Sequence, residues 1–267
     1  LLNSVKDFEP VDICYRYDGS FFGMLSCIFE SFEKKEMPVQ ITSDDFSLFK
    51  IKDIETDEVK AKRILKAIPQ KINYEALDYV KQSFLANIKD KEIALIHFLR
   101  EGFRCGPKFI DVISTGFSPT RRLVAGALSN DYLSKIQKGM DLLNLEVRRF
   151  IQFARFSDVN GALVSIIEPE NNVLPLLANH FADRYPNEQF LIYDKNRQLG
   201  LIYANHQIRL EFLDNYEMPE LSNQEKDYQK LWRLFYDTIA IKERRNERCR
   251  MNFMPKKYWK NMTEVMT

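Results

Sequence analysis

The sequence predicts an α+β fold: a predominantly helical lobe, a small antiparallel sheet lobe and a basic helical C-terminal tail. Three observations carry this reading. Apolar residues recur at helical spacing through most of positions 1–157, after one short strand near the start. Over 158–214 the pattern changes to short strands separated by turn residues, in the order β-α-β-β-β. Over 215–267 the chain becomes polar and then cationic, with eight Lys and Arg against two Glu between Lys242 and Lys260. The 267 residues suit one large domain or two coupled lobes, and 20 Phe with 12 Tyr can build a sizeable core.

Each element follows from local signals. Asp12 to Tyr17 reads as a strand closed by the turn pair Asp18-Gly19. Ser20 then caps a helix whose apolar stripe is Phe21, Met24, Leu25, Ile28, Phe29 and Phe32. Pro38 and the polar run 42–45 mark a loop. Thr56 is expected to cap the next helix, with Pro69 beyond its end. Further helices start near Asn73 and after Asp90; the latter is apolar nearly all round, which implies burial, and the Gly102 to Gly106 stretch should break it. Ser118-Pro119 has the form of a helix start. Leu133, Ile136, Met140, Leu143, Val147, Phe150 and Ala154 then alternate three and four apart, as a long helix packed along its length requires.

In the sheet lobe, 162–167 reads as a strand and 172–185 as a helix tolerating Pro175 in its first turn. Strands at 189–193, 199–204 and 207–212 follow, separated by turns at 194–197 and 205–206. A polar linker, 215–224, leads to a final helix expected over 225–250.

Composition excludes several classes. Hydrophobic residues at 45% and charged residues at 29% are ordinary globular values. No apolar run approaches the roughly 18 residues a bilayer span needs. Leu1 to Pro10, with Lys6, Asp7 and Glu9, does not read as a signal peptide. The four cysteines, Cys14, Cys27, Cys105 and Cys249, lack any short paired spacing, so reduced thiols in a cytoplasm are expected. The three histidines are equally scattered, so neither a metal nor a cofactor is expected. Gly102 to Gly106 lacks the lysine and hydroxyl of a phosphate loop, which removes nucleotide hydrolysis.

Three segments together carry a family resemblance. The first is Tyr17-Asp18-Gly19-Ser20-Phe21 with Gly23-Met24-Leu25, and the second is Glu146 to Phe156 with Arg148, Arg149 and Arg155. The third is Arg245-Asn246 with Met254-Pro255-Lys256-Lys257-Tyr258-Trp259 and Glu264. His180-Phe181 with Arg184, and Ile192-Tyr193-Asp194, fall between them in matching order. This order resembles an uncharacterised bacterial family assigned to DNA metabolism or DNA repair. Its members are encoded beside a radical S-adenosylmethionine (radical SAM) protein, and related domains are fused to uracil-DNA glycosylase-like domains. The resemblance implies DNA and the radical SAM protein as partners, with any iron–sulfur or S-adenosylmethionine chemistry belonging to that partner.

The candidate binding residues are cations and one aromatic. Arg244, Arg245, Arg248, Lys256 and Lys257 suit phosphates, Asn246 a hydrogen bond, and Trp259 the stacking of a base. The competing reading is a solvated terminal helix paired with acidic surface, with Trp259 docked in the core. Arg148, Arg149, Arg155 and Arg184 suit an anion groove, or else salt bridges, since the guanidinium fork serves phosphate and carboxylate alike. Four to six neutralised phosphates would give a log–log salt slope of roughly −3 to −5. His180, with Asp183 and Arg184 on one helical face, is the weak catalytic candidate; no serine or cysteine partner accompanies it. The expected function is a DNA-metabolism accessory that binds nucleic acid or presents it to the radical SAM enzyme. The alternatives are an enzyme acting on DNA itself and a protein-interaction adaptor without nucleic-acid contact.

Overall fold

The computed structural model describes residues 8–115, 118–123, 131–241 and 246–265. The chain divides into two compact units, Leu1–Leu143 and Asn144–Thr267. The sequence reading put its divisions at 157 and 214. The architecture is α+β, as the hydrophobic periodicities require.

In the first unit, β1 (Glu9–Arg16) is the middle strand of a three-stranded parallel sheet, between β2 (Glu36–Thr42) and β3 (Lys50–Asp53). Its Cys14 and Tyr15 are fully buried. A parallel pair needs a crossover, and α1 (Phe21–Lys34) supplies it between β1 and β2. Ser20 caps α1 as expected, its Oγ accepting the Gly23 N–H at 2.9 Å. Five of the six predicted stripe residues, Met24, Leu25, Ile28, Phe29 and Phe32, are buried.

β2 and β3 replace the loop expected around Pro38 and 42–45. Proline has no N–H to donate, but β2 is an edge strand, where that loss is tolerated. Its pairing with β1 shifts register between Val11 and Cys14, just after Pro38 sits opposite Val11.

α2 (Glu58–Lys71) is capped by Asp57 rather than Thr56: the Asp57 carboxylate accepts from Val59 and Lys60 N–H at 2.8 and 3.0 Å. Thr56 instead donates its hydroxyl to Asp18 Oδ2 at 2.7 Å. Pro69 lies within the last turn of α2, not beyond it. α3 (Tyr74–Leu85) starts where expected, with Asn73 as its cap. α4 (Lys91–Cys105) is buried along most of its length, and Tyr17 donates to its Glu92 at 2.8 Å. Gly102 lies inside α4, where a Cβ would crowd Ile72 and Phe109, so the helix continues to Gly106, at φ 71°. β4 (Ile110–Thr115) and β5 (Ser118–Leu123) pair antiparallel, with Ile110 opposite Leu123. The helix expected at Ser118-Pro119 is therefore a strand. Proline is acceptable near the start of an edge strand, and pairing with β4 outweighs the local helix signal.

α5 (Asp131–Phe153) spans the division between the units. It buries Leu133, Ile136, Met140 and Leu143 on the first side, then Glu146 and Phe150 on the second. In the second unit the sheet order is β10-β9-β8-β7-β6, with β6 Ser157–Val159, β7 Ala162–Ile167, β8 Phe190–Asp194, β9 Leu199–Ala204 and β10 Gln207–Phe212. The β-α-β-β-β order is present, with β6 added at the edge. The sheet is mixed rather than antiparallel, because α6 (Leu174–Arg184) carries the chain back so that β8 runs parallel to β7. Phe156, Phe181 and Phe190 meet edge to face at 5.3–6.5 Å to form an aromatic layer.

The final helix expected over 225–250 is two. α7 (Asn223–Ile239) ends at Ala240 in extended backbone, and Asn246 opens α8 (Glu247–Phe253) by accepting the Cys249 N–H at 2.9 Å. A 3-10 helix at Lys256–Asn261 then sets the buried Tyr258 against Phe150 and Phe153, at 5.2 and 5.5 Å. Among the described residues no helix is long and apolar enough to cross a membrane.

Candidate nucleic-acid interface

An open cleft of the second unit forms beside α7. Ser222 caps this helix, its hydroxyl accepting the Glu225 N–H at 3.1 Å. Glu225, Tyr228, Gln229 and Trp232 follow at zero, three, four and seven positions, so they share one helical face. Facing them are Ala154, Arg155 and Phe156 beyond α5, Leu163 of β7, and Arg184 and Tyr185 at the end of α6; Thr263 closes one side. The cleft is open and measures about 530 Å³. That lies within the ~300–1,000 Å³ usual for small-molecule sites.

Its aromatic content is high, and one ring is held by its edge. Trp232 is 43% exposed, and its indole N–H donates to Glu264 Oε2 at 3.3 Å. Glu264 in turn takes a two-point ion pair from Arg155, Nη2 to Oε1 at 2.6 Å and Nε to Oε2 at 3.3 Å. Burial pushes the Glu264 carboxyl up, but the Arg155 hydrogen bond and charge, with the indole, bring it below the usual glutamate range. Arg155 Nη1 also reaches the Gln152 and Ala154 carbonyls. Its guanidinium is therefore committed to fixing Glu264, and through it Trp232. Across the cleft, Tyr185 packs at 5.3 Å from Phe156, and Arg184 lies over the Tyr185 ring at 5.6 Å. Arg184 makes no ion pair among the described residues, which leaves it the available cation of this cleft.

The other sequence candidates lie elsewhere. Arg149 sits over the Tyr258 ring at 5.8 Å, while Arg148 and Arg248 are exposed with no ion pair among the described residues. Lys257 pairs with Glu170 at 2.7 Å and Glu146 at 3.5 Å, and Lys260 pairs with Glu168. Both lysines thus tie the tail to acidic side chains of its own unit. Asn246 is occupied as a helix cap. Lys256 stands over the Trp259 ring at 5.8 Å, and Arg250 covers it more closely at 4.7 Å. The Trp259 indole donates to the Met254 carbonyl at 2.8 Å. Arg244 and Arg245 lie outside the described residues. His180 is half-buried on α6, edge-on to Phe181 at 5.0 Å, and is not among the cleft residues. Among the described residues no three His, Cys, Asp or Glu side chains converge as a metal site would require.

Trp232, Tyr228, Gln229 and Glu225 are not marked as a site by the local sequence, because their partners Arg155, Ser157 and Glu264 lie far along the chain. Their signal is a helical face that mixes rings with an acid and an amide, which core faces rarely do. No curated protein and no solved structure matches the chain significantly. A family profile described as a domain of unknown function, DUF4130, matches residues 89–264, which include every residue of the cleft; the chain belongs to that family.

Proposed function

We propose that the second unit binds single-stranded nucleic acid, receiving an unstacked base in the cleft between α7 and the end of α6. The observation that carries this reading is Trp232: a partly exposed indole oriented by Glu264, with Tyr228 and Tyr185 lining the same cleft and Arg184 beside them. Aromatic faces accept any base, and a stacked base contributes about 1–3 kcal/mol. Single strands offer such bases; a duplex withholds them. The cellular role that fits is the DNA-metabolism accessory implied by the family resemblance, holding a strand for the neighbouring radical SAM enzyme.

The sequence holds two tryptophans, Trp232 and Trp259, so a Trp259→Phe protein reports on Trp232 alone. Single-stranded oligonucleotides should quench its fluorescence, and the matching duplex should do so far less. With Arg184 the available cation of the cleft, the salt slope should be roughly −1, shallower than the cationic tail alone suggests. Equal quenching by duplex and single strand would remove the reading.

A second reading, protein docking, draws on the later turns of α7, where Leu231, Leu234, Phe235 and Ile239 are all exposed. The radical SAM protein is the partner the resemblance offers. Co-purification that survives Trp232→Ala but fails with Leu234→Asp and Phe235→Asp would favour it.

A further inference from the structure

We infer that the cleft prefers bases carrying an amino group on their pairing edge, guanine foremost, over thymine or uracil; this rests on the base-binding reading above. The inference comes from Glu225 and Gln229, one turn apart on the cleft face of α7. The Gln229 amide nitrogen donates to Glu225 Oε1 at 2.9 Å and to Ser157 Oγ at 3.1 Å. A carboxylate only accepts, so the amide must turn its nitrogen toward Glu225. Both amide protons are then occupied, and the group left over is the Gln229 carbonyl oxygen. Glu225 likewise keeps its second carboxylate oxygen, Oε2, without a hydrogen bond among the described residues.

The other side-chain donors beside them are largely engaged. The Trp232 indole and the Arg155 guanidinium both serve Glu264. Arg184 already donates Nε to the Tyr185 hydroxyl at 3.3 Å, and its remaining protons suit a phosphate. What Glu225 and Gln229 present to an edge-on base is therefore two acceptors; the Tyr228 and Tyr185 hydroxyls accept from Gln224 and Arg184 and keep their own protons for other atoms of the base. Guanine answers with two adjacent N–H donors on its Watson–Crick edge. Adenine and cytosine answer with one amino group. Thymine and uracil offer one imino N–H flanked by two carbonyl oxygens, and a carboxylate repels those oxygens. Glu225 and Gln229 are part-buried, so a base that cannot donate to them displaces some of their water and returns no hydrogen bond.

The experiment uses Trp259→Phe protein and an abasic oligonucleotide bearing a single guanine, adenine, cytosine or thymine, read by Trp232 quenching. The bare abasic oligomer measures the phosphate contribution. Guanine should bind about five- to a hundredfold more tightly than thymine, with adenine and cytosine between. Glu225→Gln can present a donor in place of an acceptor and frees the Gln229 amide to rotate. It should abolish the preference by weakening guanine binding and strengthening thymine binding, while the melting temperature stays close to the parent's. Equal binding of all four bases, or tightest binding of thymine, overturns the preference and leaves base binding standing. No quenching beyond that of the bare abasic oligomer overturns both.

Discussion

Arg155 and Glu264 form a two-point ion pair within the second unit, at 2.6 and 3.3 Å, although 109 residues separate them in sequence. The Glu264 side chain is only 5% exposed. Of the two roles the sequence leaves open to Arg155, phosphate contact or salt bridge, its guanidinium takes the second, and the product is the orientation of Trp232. Losing the cation strands a nearly buried carboxylate. Arg155→Ala should destabilise the second unit by about 2–4 kcal/mol in urea unfolding, somewhat below a fully buried pair because Arg155 is part-exposed. Arg155→Lys should recover little, since an ammonium cannot make both contacts. Full stability in Arg155→Ala would show that the clamp contributes nothing.

The same pair sets a pH dependence. The folded-state pKa of Glu264 lies below the usual glutamate range: burial raises it, and the Arg155 hydrogen bond and charge lower it further than burial raises it. A depressed carboxyl contributes stability that is present above its unfolded pKa and lost as pH falls through the folded value. Trp232 emission in the Trp259→Phe protein should therefore be flat from neutrality down to about pH 5, then change below the ordinary carboxylate range. In Glu264→Gln the acid transition should disappear from that signal. A transition near neutrality would assign the titration to another group.

How far the sequence discloses this arrangement depends on the distance over which each interaction is decided. Ser20 and Asn73 are legible as caps because their partners, Gly23 and Ala76, are three residues away. The stripe from Leu133 to Phe150 is legible because periodicity is local. Thr56 and Asp57 compete for one cap, and the choice falls to Asp57 because Asp18, 38 residues earlier, takes the threonine hydroxyl. β2 and β3 escape notice because parallel pairing joins strands far apart, and Pro38 is permitted only by an edge position that local sequence does not reveal. The cleft is hidden for the same reason. Nothing near Arg155 announces a carboxylate at 264, and nothing near Trp232 distinguishes it from Trp259 until their partners are known.

Asp18 and Gly23 illustrate a tight approach in the first unit. The Asp18 carboxylate accepts the Ser20 N–H at 2.9 Å and the Thr56 hydroxyl at 2.7 Å, and a Cβ on Gly23 would overlap Asp18 Oδ1. Alanine is the better helix former by about 1 kcal/mol, so propensity alone predicts that Gly23→Ala stabilises α1. Overpacking costs about 1–3 kcal/mol, and here the neighbour is held by two hydrogen bonds and cannot move freely. The expected outcome is a lower melting temperature. A rise would mean that Asp18 yields without cost.

The two tryptophans should separate binding from stability. Trp259 is half-buried, its N–H donates to the Met254 carbonyl, and Arg250 and Lys256 lie over its ring. Those contacts join the start of the 3-10 helix to the end of α8, so Trp259→Ala should loosen the tail and cost about 2–3 kcal/mol, the lower side of tryptophan truncations. Its ring is already covered by cations, which leaves a nucleobase little to stack on, so single-strand affinity should hold. Trp232 is the reverse case: 43% exposed, held by one edge, and part of the cleft. Trp232→Ala should cost about 1 kcal/mol of stability, chiefly the lost hydrogen bond to Glu264. It should weaken single-strand binding by about 1–3 kcal/mol and leave weak duplex binding unaltered. Melting curves and strand-resolved titrations of the two variants, run together, decide the matter. If Trp259→Ala loses the single strand at unchanged melting temperature while Trp232→Ala keeps it, the base site belongs at the tail rather than beside α7.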